Sequence, residues 1–164
     1  MDAMKALRER RSVRAYKAGT PVPKEALETI VDCGRLAATA RNDQPWEFIV
    51  ITKPETLAQI ATISEYGKHI AQSAACIAVV CADTKYYVED GAAATQNILV
   101  AAWALGLGTC WVAGDKKDYA NQLRDLLGAP DTHKLFSLIP LGYPASVPTS
   151  EKRALDDVLH WEKY

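Results

Sequence analysis

The run Ala74-Ala75-Cys76-Ile77-Ala78-Val79-Val80-Cys81-Ala82 decides how the rest of the chain is read. It is apolar from end to end and has the length of a strand. With no polar face to offer water, it predicts a central strand. Downstream, residues 88–105 form a long Ala-rich stretch, apolar nearly all round, which predicts a buried central helix. Gly106-Leu107-Gly108 ends that helix, Thr109 to Val112 reads as a short buried strand, and Gly114-Asp115 caps a helix over 116–127. Residues 135–144 give another strand followed by a turn. Upstream, residues 66–72 suggest a short helix, and Pro54 opens one with Leu57, Ile60 and Ala61 on a single face. Residues 47–52 alternate as a strand after a polar loop at 38–45. Leu27, Ile30, Val31 and Gly34 follow the i, i+3, i+4, i+7 rule and predict an amphipathic helix over 24–38, with Pro23 in its first turn. Residues 2–9 suggest a short helix capped by Asp2, and 10–17 an extended segment. Helices interspersed with separated strands predict one α+β or α/β domain.

Composition narrows the function. A length of 164 residues suits one compact domain. Hydrophobic residues at 49% and charged residues at 24% exclude wholesale disorder and fibrous architecture. The formal net charge of -1 argues against a general binder of nucleic acid. No apolar run reaches membrane-spanning length, because Gln96 and Asn97 interrupt the longest, and Met1 to Lys5 lacks a signal-peptide core. A cytoplasmic protein is therefore expected. Cys33, Cys76, Cys81 and Cys110 lie in apolar stretches without metal-type spacing, which predicts small buried hydrophobes.

One segment departs from the neutral average. Lys5, Arg8, Arg10, Arg11, Arg14 and Lys17 are opposed only by Glu9. A local cationic knot on a neutral protein suits a local anion such as one phosphate. In Arg10-Arg11-Ser12-Val13-Arg14 an extended backbone would bring Arg10, Ser12 and Arg14 to one face, where guanidiniums and a hydroxyl meet a phosphate. A solvated basic surface or a nucleic-acid contact is the competing reading. The loop from Ala38 to Trp46 is rich in neutral donors and acceptors, whereas a plain connection with Trp46 in the core is the simpler alternative. Trp111-Val112-Ala113-Gly114 ends a strand in small residues, so backbone amides of Ala113 and Gly114 stand open to a flat ligand. Gly106 and Gly108 do not make a dinucleotide fingerprint. The third glycine is replaced by Trp111, and the pair follows a helix rather than a strand.

Taken in order, these segments resemble the nitroreductase family. The resemblance runs from Arg10-Arg11-Ser12-Val13-Arg14 through Asn42 and Gln44-Pro45-Trp46. It continues through Gln96-Asn97, Ala104 to Gly108 and Leu141-Gly142-Tyr143-Pro144, and ends at Lys152-Arg153 and His160-Trp161. It implies an α+β fold with a mostly antiparallel central sheet surrounded by helices. It also implies an intertwined homodimer with FMN at the subunit interface, the tail 150–164 packing on the partner, and NADH or NADPH as electron donor. By resemblance, Arg10 and Ser12 would bind the FMN phosphate with Arg153, and Arg11 would lie close by. Arg14 would face the flavin pyrimidine edge. Thr39, Ala40 and Asn42 would come from the other subunit, while Trp111, Ala113 and Gly114 would pack on the ring. A backbone amide of Ala113 or Gly114 would face N5. Ala38-Thr39 stands where many members have Pro-Ser, Ala113 where the better-known members have an acid, and Glu151 where many have a cation that Lys152 would replace. Lys68 or His69 would supply a second cation near O2, and residues 83–90 would be the remnant of a longer covering excursion. The implied activity is two-electron transfer to a nitroaromatic, quinone or activated enone by a ping-pong route. The alternatives are an FMN store or sensor without turnover and a small nucleic-acid-binding protein.

Overall fold

The computed structural model describes residues 1–164. Its elements in chain order are α1 (Ala3–Glu9), α2 (Lys24–Arg35), β1 (Trp46–Ile51), α3 (Pro54–Ile63), β2 (Ala75–Ala82), α4 (Tyr87–Ala104), β3 (Gly108–Thr109), β4 (Val112–Ala113), α5 (Ala120–Leu126) and β5 (His133–Gly142). The sheet runs β1-β2-β5-β3, with β4 also on β5, and every strand pair is antiparallel. Short 3₁₀ turns occur at Ala40–Asn42, Lys68–Gln72 and Leu155–Asp157.

The apolar run that opened the reading is the interior strand β2. Its pleat explains why it carries no polar face. Ala75, Ile77, Val79 and Cys81 join Ile98 and Leu99 of α4 and Leu27 and Ile30 of α2 on one side. Cys76, Ala78 and Val80 join Leu57 and Ile60 of α3 and Leu123 of α5 on the other. Period-two alternation thus feeds two cores from one strand. Cys76, Cys81 and Cys110 are buried and Cys33 is half-buried, as expected of small hydrophobes.

Gly106 and Gly108 serve packing. Gly106 has φ +80°, its N–H donates to Trp103 O, and the Leu107 N–H donates to Ala102 O, both at 2.9 Å. This is a Schellman end for α4. At Gly108 a Cβ would lie 2.7 Å from Val13, so the missing side chain lets the N-terminal segment lie against β3.

Several boundaries differ from expectation. The helix over 24–38 stops at Arg35, and Pro23 is its N-cap rather than its first turn. The helix expected over 116–127 begins only at Ala120, because Lys116 has φ +58° and the chain turns at 115–116 and again at 118–119. The strand at 109–112 is two short pieces, β3 and β4, parted at Cys110-Trp111. Residues 83–86 are a tight turn, and Tyr87 to Asp90 already belong to α4, so no separate excursion stands there. No helix is long and apolar enough to cross a membrane.

Candidate functional site

The cationic segment is pinned at both ends. α1 stops at Glu9, and Arg11 caps it by donating from Nη1 to the carbonyls of Arg8 and Arg10, each at 3.0 Å. The Val13 N–H then donates to Thr109 O at 2.8 Å, and Ser12 bridges Thr109 in parallel. Buried Tyr16 donates its hydroxyl to Val13 O at 2.9 Å, which together with the Lys17 N–H to Tyr143 O bond locks the segment beside β3. Burial raises the Tyr16 hydroxyl far above the ordinary phenol range.

Arg10 and Arg14 both stand close enough to Cys110 to act on its thiol, whose pKa burial raises and the two guanidiniums pull back. Arg10 is half-buried; burial first, and Arg11 next, lower its pKa. None of Arg10, Arg11 and Arg14 has a carboxylate partner, since every ion pair in the chain involves other cations. Three uncompensated guanidiniums in five residues are repulsive without an anion. Arg11 is spoken for: its bonds run to backbone carbonyls, including Ser150 O at 3.2 Å through Nε. That last bond starts the tail beside the knot. Lys152 and Arg153 lie at most about 7 and 11 Å of extended chain further on. Both are exposed, and the Arg153 guanidinium donates to Asp157 O.

Beside the knot lies a cavity of about 380 Å³ lined by Arg14, Tyr66, His69, Cys110, Trp111, Val112, Ala113 and Lys117. Trp111 is 37% exposed and rests on Phe136, with ring centroids 5.7 Å apart. Lys117 sits over the Tyr66 ring at 5.1 Å. The His69 Nε2 is a buried atom with no hydrogen-bond partner. Burial, then the charge of Arg14, lowers the His69 pKa and so disfavours the charged ring.

The sequence expected a second cation from Lys68 or His69, and the structure offers neither as a free cation in the cavity. The structure separates them. Lys68 Nζ donates to Ala61 O and Thr62 O at 3.1 Å, capping α3, while His69 lines the cavity. It also separates the two amides. Gly114 N–H donates to Phe136 O at 3.0 Å, and a Cβ there would meet Leu135 at 2.8 Å, so Gly114 is closed on its strand side and does not line the cavity. Strand alternation turns the Ala113 amide to the opposite edge. Its carbonyl, on that same edge, accepts from Tyr119 Oη at 2.6 Å. Ala113 is thus the one of the pair with an open amide.

Thr39, Ala40 and Asn42 do not line this cavity. Thr39 Oγ1 donates to Asp90 Oδ2 and the Ala40 N–H to Asp90 Oδ1, both at 2.9 Å. Trp46 is in the core, the simpler of the two roles open to it. Tyr66, Cys110, Lys117 and Asp90 were missed: each lies in a segment that carries no motif, and only the tertiary fold assembles them.

The donor set suits FMN on this structure's own terms. The volume falls in the usual ligand range of about 300–1,000 Å³. An aromatic wall, an open amide, an orphaned imidazole nitrogen and a flanking uncompensated arginine pair match a flat heterocycle bearing a phosphate.

Comparison with known proteins gives the family. Residues 7–88 and 82–143 match the Nitroreductase family. A relative from Archaeoglobus fulgidus, provisionally named NADH dehydrogenase/NAD(P)H nitroreductase, is 35% identical over 99% of this chain and 99% of its own. A crystal structure from Bacteroides thetaiotaomicron with the same provisional name superposes with a TM-score of 0.93 at 30% identity, covering 99% of this chain and 98% of that one. A provisionally named nitroreductase from Desulfovibrio desulfuricans, solved in complex with FMN, gives 0.84 at 28% identity over 100% and 98% of the two chains. With the arginine segment, the cavity and near full-length likeness in agreement, the chain belongs to the nitroreductase family.

Proposed function

We propose that this chain is an FMN-dependent oxidoreductase that passes two electrons from NADH or NADPH to an electron-poor small molecule. Nitroaromatics, quinones and activated enones are the acceptor class, with donor and acceptor using one pocket in turn. The observation that carries this reading is Arg14, a guanidinium without a carboxylate partner, lining the Trp111-walled cavity four residues along from Arg10, which has none either.

When bound, FMN supplies the electron-transfer chemistry. The chain's own residues supply position and charge. Arg10 and Ser12 would hold the phosphate, and Lys152 and Arg153 would reach it from the tail, whose start Arg11 anchors at Ser150 O. Arg14 sets a fixed positive charge at one end of the cavity, where it stabilises negative charge on the bound ring. Trp111 would pack on the ring, and the Ala113 amide would be free to donate to it. Tyr119, through its bond to Ala113 O, holds that amide in place.

A homodimer is part of the proposal. Every residue from 150 to 164 is exposed in the single chain, with Leu155 at 67% and Trp161 at 80%. Apolar side chains at that exposure favour burial on a second copy. Thr39, Ala40 and Asn42 do not line the cavity of their own chain, which fits their arriving from another subunit. Anaerobic addition of NADH or NADPH to the FMN-loaded protein is expected to bleach the flavin bands, and a quinone to restore them. A yellow protein that neither nucleotide bleaches would leave the storage role in place of the enzyme.

A further inference from the structure

Asp90 is a carboxylate buried to 3% exposure in the first turn of α4. Burial of a charge is costly without partners. Both its oxygens are used, and both bonds leave the helix for the loop before β1. The Thr39 hydroxyl accepts from Gln44 N–H at 3.1 Å, so its proton is the one given to Asp90. The far end of the loop is fixed as well, by the Ala82 N–H to Pro45 O bond at 2.8 Å.

Between these anchors the backbone is strained. Arg41, Asn42 and Gln44 have φ of 56°, 60° and 47°, in the left-handed region that side chains disfavour. Their side chains are exposed, and those of Arg41 and Asn42 make no hydrogen bond within the chain. A strained loop clamped by a buried carboxylate, showing unpaired donors to solvent, is built to meet something outside its own chain.

We propose that Asp90 is a positioning residue that acts in trans: its carboxylate holds the 39–44 loop in the shape in which it completes the flavin pocket of the other subunit. This rests on the FMN-dimer reading above. The charge matters because two charge-assisted bonds, one to a hydroxyl and one to an amide, offset the strain of three left-handed residues. Asp90→Asn keeps the shape, but the Ala40 N–H takes its one acceptor, so a neutral amide N–H faces the Thr39 hydroxyl and the charge-assisted bond from Thr39 is lost.

The test is FMN binding by mixed dimers, read as bound flavin per dimer after gel filtration. The Asp90→Asn homodimer is expected to bind FMN about tenfold to a hundredfold more weakly than wild type. Thr39→Val, which removes the same bond from the loop, is expected to do the same, and the double variant to be no weaker than either. A mixed dimer is then made with Asp90→Asn in one chain and Arg10→Ala in the other, at an FMN concentration that fills wild type and neither variant homodimer. Action in trans places both defects on one pocket and leaves the other whole, so one FMN per dimer is expected. Action in cis damages both pockets, and zero FMN would overturn the proposal. Unchanged binding by Asp90→Asn and Thr39→Val would overturn it too. Failure of wild type to bind FMN would instead overturn the reading it rests on.

Discussion

Arg10→Ala separates the phosphate role from a structural one. Arg10 is half-buried, lacks a carboxylate partner, and has its pKa lowered first by burial and then by Arg11. Removing it therefore breaks no ion pair in the ligand-free protein and relieves a like-charge repulsion. Unfolding of the apo protein in denaturant should show no loss of stability. FMN binding should behave oppositely. A hydrogen bond to a charged group contributes about 1.5–3 kcal/mol, which corresponds to a rise in Kd of about tenfold to 150-fold. Riboflavin, which has the ring but no phosphate, controls for the assignment. Quenching of flavin fluorescence gives both constants. Wild type should prefer FMN strongly over riboflavin, and Arg10→Ala should lose most of that preference while binding riboflavin unchanged. Equal losses for the two ligands, or none for FMN, would refute the placement of the phosphate at Arg10.

Three further outcomes are expected. The His69 pKa is depressed in the folded protein, by burial first and Arg14 second, so the unfolded chain binds the extra proton first as pH falls. The His69 contribution to stability is complete above the ordinary imidazole pKa of about 6.5 and is lost as pH drops through the lower folded value; His69→Gln should flatten that part of the curve, and the His69 resonance should titrate late. Gly108→Ala would drive a Cβ to 2.7 Å from Val13, and denaturant titration should find a loss of about 1–3 kcal/mol. Burial pushes the Cys76 and Cys81 thiols up to about 12, so an alkylating reagent should leave both untouched in the native protein and label them on unfolding.

The central sheet was readable because β2 has to satisfy two cores at once, which leaves nine residues from Ala74 to Ala82 with no polar interruption. Helix α4 was readable from its long Ala-rich run and its glycine end. Its C-terminal end carries Gly106 in the left-handed conformation that terminates α4. Short pieces were not. The separation of β3 from β4 and the late start of α5 follow from backbone turns at Cys110-Trp111 and Lys116, and neither place has a residue that announces it. In the site, Arg14 was legible as part of a cationic segment on a neutral chain, and it lines the cavity. Trp111 and Ala113 were legible because a strand ended in small residues. Choosing Ala113 over Gly114 and His69 over Lys68 needed the hydrogen bonds to Phe136 and to the end of α3, which are tertiary facts. Asp90 was invisible for the same reason. It looks like an ordinary first-turn acid until its oxygens are found on Thr39 and Ala40.

The claim on which the rest depends is that the cavity beside Arg14 holds FMN. The most direct measurement is the visible absorption spectrum of the protein after incubation with FMN and removal of free ligand on a desalting column. The account predicts flavin bands that travel with the protein at one FMN per chain, shifted from those of free FMN by contact with Trp111. A colourless protein, with all FMN eluting in the free fraction, would contradict it.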